Sequence, residues 1–192
     1  MAGAACVSIL LSGIALVVFG RNTQGLDAAL MLTGRWAFLL FWPAYAGAGT
    51  VALLGGRFAF LRRHGRAFGL AFAAAMLPHV GLIAWLCAIG APPARRVFLV
   101  FGVGLVCTYT LAAFSLSGLQ RRLGRRSWWL LRTGAMTYIA LIFAADFLRD
   151  PLSGGLARVA FYVPFALLSL LGFSAYGVGL ILPARKSFSA AQ

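Results

Sequence analysis

The chain has 192 residues, of which 62% are hydrophobic and only 10% charged, and its mean hydropathy is +0.92. A water-soluble domain carries roughly a quarter charged residues, so this composition excludes an ordinary soluble enzyme and indicates a membrane protein. The formal net charge of +14 is carried by arginines clustered in short turns between apolar segments. That placement is a topology signal, and we expect no nucleic-acid partner.

Six apolar segments follow one another along the chain, each long enough to cross a bilayer as a helix. They are predicted at residues 4–20, 33–55, 67–90, 97–118, 128–148 and 156–182. The turns between them are short and polar, and nothing is left over for a soluble domain. The sequence therefore predicts an all-α fold, a polytopic bundle of six transmembrane helices that forms one integral domain over residues 1–192, with the lipid bilayer as its surroundings.

Basic residues are distributed unevenly between the two sides of this predicted bundle. Ten fall in the segments of one side, namely Arg57, Arg62, Arg63, Arg66, Arg121, Arg122, Arg125, Arg126, Arg185 and Lys186. Six fall in the segments of the other side, namely Arg21, Arg35, Arg95, Arg96, Arg149 and Arg158. Short loops rich in Lys and Arg stay in the cytoplasm, so we expect both chain termini to be cytoplasmic. Contact with anionic lipid headgroups is the companion interpretation of these clusters.

His79 interrupts the third apolar segment and is the first candidate for a functional residue. Ionisable residues within membrane spans face the bundle interior and mark functional sites. On a helix, His79 shares a face with Phe68, Phe72, Ala75 and Met76. Such a face suits a flat cofactor such as haem, and neutral imidazole is a common iron ligand. The alternative is a histidine that hydrogen-bonds to a neighbouring helix, for example to Tyr138 or to a Ser or Thr hydroxyl.

The only other histidine, His64, lies 15 residues earlier, roughly 22 Å away along a helix. The two histidines therefore cannot bind one metal ion together, although they could mark two sites near opposite membrane faces. His64 is embedded in the sequence Arg62-Arg63-His64-Gly65-Arg66, so we expect it to be solvated at the interface. The chain has no Glu and only three scattered Asp residues, so we expect no catalytic acid–base residues.

Three stretches resemble the ferric reductase-like transmembrane domain family, and within it the haem b membrane subunit of the bacterial periplasmic methionine sulfoxide reductase system. The stretch RAFGLAFAAAMLPH at 66–79 is similar to the start of that family's third span, with Arg66, Gly69-Leu70 and His79 at the family spacing. TGRWAFLL at 33–40 is similar to the opening of the second span. LAAFSLSGLQRRLGRRSWWLLR at 111–132 is similar to the fourth span and the entry to the fifth. The resemblance covers about residues 30–150.

The resemblance implies a haem b subunit in the bacterial inner membrane that moves electrons across the bilayer to a partner membrane or periplasmic redox subunit. His79 carries over as an axial ligand of the haem iron. The family's fifth-span histidines do not carry over, because this chain has Arg132 at the first position and Ala145 and Asp146 about thirteen residues later. Met136 is a conceivable second ligand, although a lone methionine in a membrane helix usually serves packing.

The depth of a residue in the membrane can be counted along each helix from the arginine clusters. By this count the position opposite His79, where the second ligand is missing, is near Ala145 or Asp146, and Arg132 is too close to the membrane surface. Arg132 would instead pair with a haem propionate or extend to the cytoplasmic face. We expect spans three and five to be neighbours with His79 directed inward. Two functions stay open: a haem b electron-transfer subunit, and a haem-free structural or partner-binding membrane subunit of the same fold. A transporter is a third alternative without a clear polar pathway in any span.

Overall fold

The computed structural model describes residues 1–149 and 155–181, and this part of the chain is helical without a β-strand. The helices are α1 (Ala2–Phe19), α2 (Thr23–Leu54), α3 (Ala59–Ala88), α4 (Arg95–Ser117), α5 (Arg125–Phe147) and α6 (Leu156–Ile181). Each contains a stretch long and apolar enough to cross a membrane, which confirms the prediction of six such helices. The predicted end of the sixth segment at residue 182 and the basic residues Arg185 and Lys186 lie outside the described residues.

Two helices begin well before the apolar segments that predicted them. The second segment was expected from residue 33, whereas α2 begins at Thr23, where the Asn22 side chain accepts a hydrogen bond from the Gly25 amide at 3.0 Å. The third segment was expected from residue 67, whereas α3 begins at Ala59. Hydropathy detects the apolar part of a helix, and arginine is a good helix former that lets the helix continue beyond it. Arg35 therefore lies within α2, and its assignment to an outer turn was wrong.

Helix α2 is the centre of the bundle and packs against α1, α3 and α6. It has 32 residues, a length of about 48 Å, so it exceeds the hydrocarbon core of a bilayer. Phe38 and Phe41 on α2 are only 2% and 1% exposed. The Phe38 ring lies 4.9 Å from Phe147 of α5, and the Phe41 ring lies 5.3 Å from Phe72 of α3. The core is thus an aromatic cluster assembled around the middle of α2.

Helices α2 and α6 approach each other through glycines. A Cβ atom added at Gly49 would overlap the backbone carbonyl of Ala175, and one added at Gly179 would lie 3.0 Å from the Cα atom of Gly49. Small residues let helix backbones come this close in membrane proteins. The indole Nε1 of Trp42 also donates a hydrogen bond to the Leu168 carbonyl at 2.7 Å. This contact fixes α6 against the central helix.

Helix α3 is held from two sides by hydroxyl groups that bind its backbone. Ser8 of α1 donates to the Ala75 carbonyl at 3.0 Å, and Tyr109 of α4 donates to the Ala73 carbonyl at 3.4 Å. Both carbonyls lie in the turn before Pro78, where the helix lacks one backbone N–H donor. These bonds fix the height of the following turn, which carries His79.

Helices α3 and α5 face each other without close backbone packing. Helix α3 packs mainly on α1 and α2, whereas α5 packs mainly on α4 and α6. The two helices meet through side chains, as at Phe72 and Phe143, whose ring centroids lie 6.1 Å apart. Spans three and five are therefore neighbours, as expected, but only through their side chains. Cavities occupy the space on either side of this contact along the helices.

Candidate functional site

Two cavities lie between the helices. The first, which we call the His79 cavity, has a volume of about 350 Å³ and includes His79 and Asp146 in its wall. The second, which we call the arginine cavity, has a volume of about 300 Å³ and includes Arg66 and Arg132. Phe72 contributes to both walls. The cavities are therefore adjacent along the bundle, with the aromatic ring of Phe72 at their boundary.

The His79 ring is held by a hydrogen bond across the α2–α3 interface. Its Nδ1 atom lies 2.8 Å from the hydroxyl oxygen of Thr33. The Thr33 hydroxyl donates its own proton to the Ala29 carbonyl at 2.8 Å, so its oxygen accepts from Nδ1–H of the imidazole. We assign the neutral tautomer with the proton on Nδ1 from this network. The lone pair of the ring is then on Nε2.

The Nε2 atom of His79 has no hydrogen-bond partner among the described residues, and it is not one of their fully buried, unpaired polar atoms. His79 is half-buried and lines the cavity. A Cβ atom at Gly34 would lie 3.6 Å from the Cε1 atom of the ring, an ordinary van der Waals distance, so the α2 backbone passes close beside this edge of the imidazole. The result is an oriented imidazole with one nitrogen available to a ligand.

Most of the His79 cavity is apolar and aromatic. The residues that give it this character are Leu30, Phe72, Met76, Phe101, Ile142, Phe143 and Phe147. Three charged residues, Asp27, Arg35 and Asp146, also line the cavity. An apolar chamber with a few polar groups is the usual form of a small-molecule site.

Arg35 is the most deeply buried charged residue in the described part of the chain, at 7% exposure. Its Nε atom donates to the Phe161 carbonyl at 3.3 Å and one terminal nitrogen donates to the Met31 carbonyl at 3.2 Å. Its guanidinium carbon lies 4.7 Å from the centre of the Tyr162 ring. The other terminal nitrogen has no partner within the described residues. This nitrogen is fully buried, so it does not face the open part of the cavity, and an unpaired donor of this kind is costly.

The fifth helix supplies Asp146 to the His79 cavity. Ala145 does not line it, and Arg132 lines the arginine cavity. This arrangement agrees with the comparison of helix depths, which favoured position 145 or 146 over 132. Met136 also lines the arginine cavity. The structure therefore does not bring Met136 to the His79 cavity as a second ligand.

His64 takes no part in either cavity. It is exposed, and its Nδ1 atom bonds to the Phe60 carbonyl of the same helix at 3.0 Å. Tyr138, the alternative partner considered for His79, donates instead to the Val100 carbonyl of α4 at 3.1 Å. The partners expected for His79 were Tyr138 or a Ser or Thr hydroxyl, and the structure shows the hydroxyl of Thr33.

From the sequence, none of the three consecutive residues Thr33, Gly34 and Arg35 was expected in a binding site, and Arg35 was counted in an outer turn. They open the stretch TGRWAFLL, where the predicted apolar segment begins, so a hydropathy pattern treats them as a helix end. One feature of the sequence could have pointed to them, namely that the polar residues Thr33 and Arg35 stand directly beside the longest apolar run of α2. The complete helix places Gly34 and Arg35 in the lining of the His79 cavity and Thr33 in hydrogen-bonding contact with the His79 ring.

Among residues 1–149 and 155–181, no cluster of three or more His, Cys, Asp or Glu residues could hold a metal ion by itself. No protein-family model, curated protein or solved structure matches the chain.

Proposed function

We propose that the protein is a haem b-binding electron-transfer subunit that spans the bacterial inner membrane with both termini in the cytoplasm. Six helices of sufficient length and apolarity support membrane insertion. The distribution of basic residues supports the orientation. Ten basic residues belong to the segments assigned to the cytoplasm. Because Arg35 lies within α2, five of the original six remain in the segments of the other side.

The observation that carries the haem proposal is the hydrogen bond between His79 and Thr33. Histidines that bind metals usually donate their second ring N–H to an acceptor, which fixes the tautomer and orients the ligating nitrogen. The Nδ1–Oγ1 distance of 2.8 Å fits this pattern. His79 would be the axial ligand through Nε2.

The rest of the cavity is compatible with a haem group. Aromatic side chains such as Phe72 and Phe143 offer flat apolar surfaces, and the volume of about 350 Å³ lies at the low end of the range for small-molecule sites, so a whole haem would require the helices to move apart. The guanidinium group of Arg35, which lines the cavity, would have to turn toward a propionate to bind it. When bound, haem b supplies a one-electron redox centre within the bilayer.

The wall opposite His79 explains why haem retention would be weak. The charged residues in this cavity are Asp146 of α5 and Asp27 and Arg35 of α2, and His64 lies outside it. The chain thus offers a single histidine to the iron, whereas the family it resembles uses histidines from two spans. We expect less than one haem per chain in protein purified from cells without added haem precursor.

A haem-free membrane subunit is the second candidate function. It is favoured by the same Thr33 hydroxyl, since a hydrogen bond to a neighbouring helix also suffices for a histidine whose role is to stabilise packing. In this case the protein would act by binding a partner subunit.

Visible spectroscopy of the purified protein separates the two candidates. The protein is expressed in bacteria supplied with a haem precursor, purified from membranes, and measured as a reduced-minus-oxidised difference spectrum. The haem proposal predicts a Soret band and b-type α and β bands. Absence of these bands in a folded, helical protein, with and without added haem, would favour the haem-free subunit.

A further inference from the structure

The arginine cavity concentrates positive charge between three helices. Its polar lining residues are Arg62, Arg63, Arg66, Ser115, Gln120 and Arg132. They come from the cytoplasmic end of α3, from the end of α4 and the turn after it, and from the start of α5. Four guanidinium groups thus line one cavity of about 300 Å³.

No carboxylate from the described residues compensates this charge. The whole chain has three acidic residues, and Asp27 and Asp146 line the His79 cavity instead. Like charges around a cavity with low-dielectric walls raise the positive potential inside it. An anion would lower the electrostatic energy of this arrangement.

Arg66 is fixed in place by the neighbouring helix. Its Nε atom donates to the Ser115 hydroxyl at 3.0 Å, and one terminal nitrogen donates to the Ser115 carbonyl at 2.6 Å. These bonds orient the planar guanidinium group and leave its other terminal nitrogen without a partner among the described residues. An oriented arginine is a favourable phosphate ligand because less conformational entropy is lost on binding.

The other end of the arginine cavity is apolar. Phe41, Leu70, Phe72, Met136 and Ile139 line it there. Trp128, a residue type that favours the membrane interface, lines the cavity near the arginines. The cavity therefore has a cationic end at the level of lipid headgroups and an apolar end within the bundle, which fits an amphiphile with an anionic head.

From this arrangement we infer that the arginine cavity binds an anionic phospholipid. Its phosphate lies between Arg66 and Arg132, and the first part of one acyl chain lies against Leu70, Met136 and Ile139. A volume of about 300 Å³ corresponds to about ten water molecules, so the rest of the lipid remains in the bilayer. The inference rests on the proposed membrane insertion and is independent of haem.

Native mass spectrometry of haem-free protein in detergent tests this inference. The protein is titrated with phosphatidylglycerol and, separately, with phosphatidylcholine of the same acyl chains. We expect phosphatidylglycerol to bind about tenfold more tightly, since charge-assisted contacts to phosphate come with the net negative charge of this lipid. Equal binding of the two lipids would overturn the inference.

Two double variants of equal net charge locate the site. Arg66→Gln with Arg132→Gln removes two guanidinium groups from the cavity. Arg57→Gln with Arg122→Gln removes two from the same cytoplasmic segments, at exposed positions outside the cavity lining. The first pair is expected to lose the preference for phosphatidylglycerol and the second to keep it. Equal losses would show general surface attraction and contradict a defined site.

A single variant keeps the test valid if the first pair does not fold. Ser115→Ala retains every charge and removes the hydroxyl that orients Arg66, so we expect phosphatidylglycerol to bind about threefold more weakly. Unchanged affinity in Ser115→Ala would contradict the role given to this contact.

Inorganic phosphate distinguishes a lipid from a soluble anion. We expect millimolar phosphate to leave the bound phosphatidylglycerol in place, because phosphate lacks the acyl chain that contacts the apolar end. Full displacement by phosphate would show that the cavity is a site for small anions and would overturn the lipid assignment. The Soret band of haem-supplied protein is unaffected by either result, so failure here is distinct from failure of the haem proposal.

Discussion

The Nδ1 atom of His79 on α3 lies 2.8 Å from the hydroxyl oxygen of Thr33 on α2. This bond joins two helices that begin at different membrane faces in the proposed topology, and it defines which ring nitrogen meets the cavity. With the Thr33 hydroxyl donating to its own helix at Ala29, we assign the imidazole proton to Nδ1. The predictions about the His79 cavity depend on this geometry.

Replacement of Thr33 by Val removes the hydroxyl and keeps the shape of the side chain. We expect Thr33→Val to lower the free energy of unfolding by about 1–3 kcal/mol, because the Nδ1–H donor loses its partner. Haem affinity should fall by about 10- to 100-fold, as for other residues that orient metal ligands. Unfolding in mixed detergent micelles and haem titration measure the two effects. Thr33→Ser is the control and should keep both properties near wild type; equal behaviour of all three proteins would contradict this role for the hydroxyl.

A second histidine introduced at position 146 should complete the coordination of a haem iron. Both Ala145 and Asp146 are exposed, but only Asp146 lines the His79 cavity. We therefore expect Asp146→His to increase the haem content of purified protein and to give the low-spin spectrum of two histidine ligands. Ala145→His is the matched control and should leave haem content unchanged. A larger gain in Ala145→His than in Asp146→His would show that the orientation of α5 differs from this account.

The close approach of α2 and α6 gives a prediction about stability. An added methyl group at Gly49 would overlap the Ala175 carbonyl, whereas one at Gly177 would meet nothing within 4 Å. We expect Gly49→Ala to lower the free energy of unfolding by about 1–3 kcal/mol, since the helices must separate. Gly177→Ala lies on α6, the helix that Gly49 contacts, and its free energy of unfolding should stay within about 0.5 kcal/mol of wild type. Unfolding in mixed micelles compares the two, and equal stabilities would contradict the glycine contact.

The number and approximate position of the helices could be predicted because each carries an apolar run of bilayer length. The helix ends could not, because a hydropathy pattern does not distinguish a polar helical turn from a loop. Arg35 shows the difference: as a charged residue near the start of an apolar run it was counted in an outer turn, whereas it is buried against Tyr162 within the bundle. Its burial depends on rings from α6 that are more than 120 residues away in sequence.

The candidate site could be predicted only in part for a similar reason. His79 is conspicuous as an ionisable residue within a span, and its depth relative to α5 follows from the rise of a helix. His79 bonds to Thr33 and not to Tyr138 because α3 packs against α2. The periodicity of apolar residues in the sequence does not reveal which helices pack together. In the sequence, the arginine clusters indicated only the membrane topology. The fold shows that Arg66 and Arg132 line one cavity.

The proposed topology can be tested with reporter fusions. Residues 57–66 and 121–126 carry eight of the sixteen arginines, and the loop between α3 and α4 lies on the opposite side of the bundle in a six-helix arrangement. We expect a reporter at residue 60 or 123 to be active in the cytoplasm and one at residue 92 to be active in the periplasm. The reverse pattern would contradict the assigned orientation.

Haem titration of three proteins tests the central claim that His79 is the iron ligand. Wild type, His79→Ala and His64→Ala are prepared without haem, and the Soret absorbance is followed as haem is added in detergent or nanodiscs. The account predicts saturable binding in wild type, the same binding in His64→Ala because that ring is exposed outside both cavities, and loss of saturable binding in His79→Ala. Undiminished binding in His79→Ala, with a spectrum identical to wild type, would contradict it.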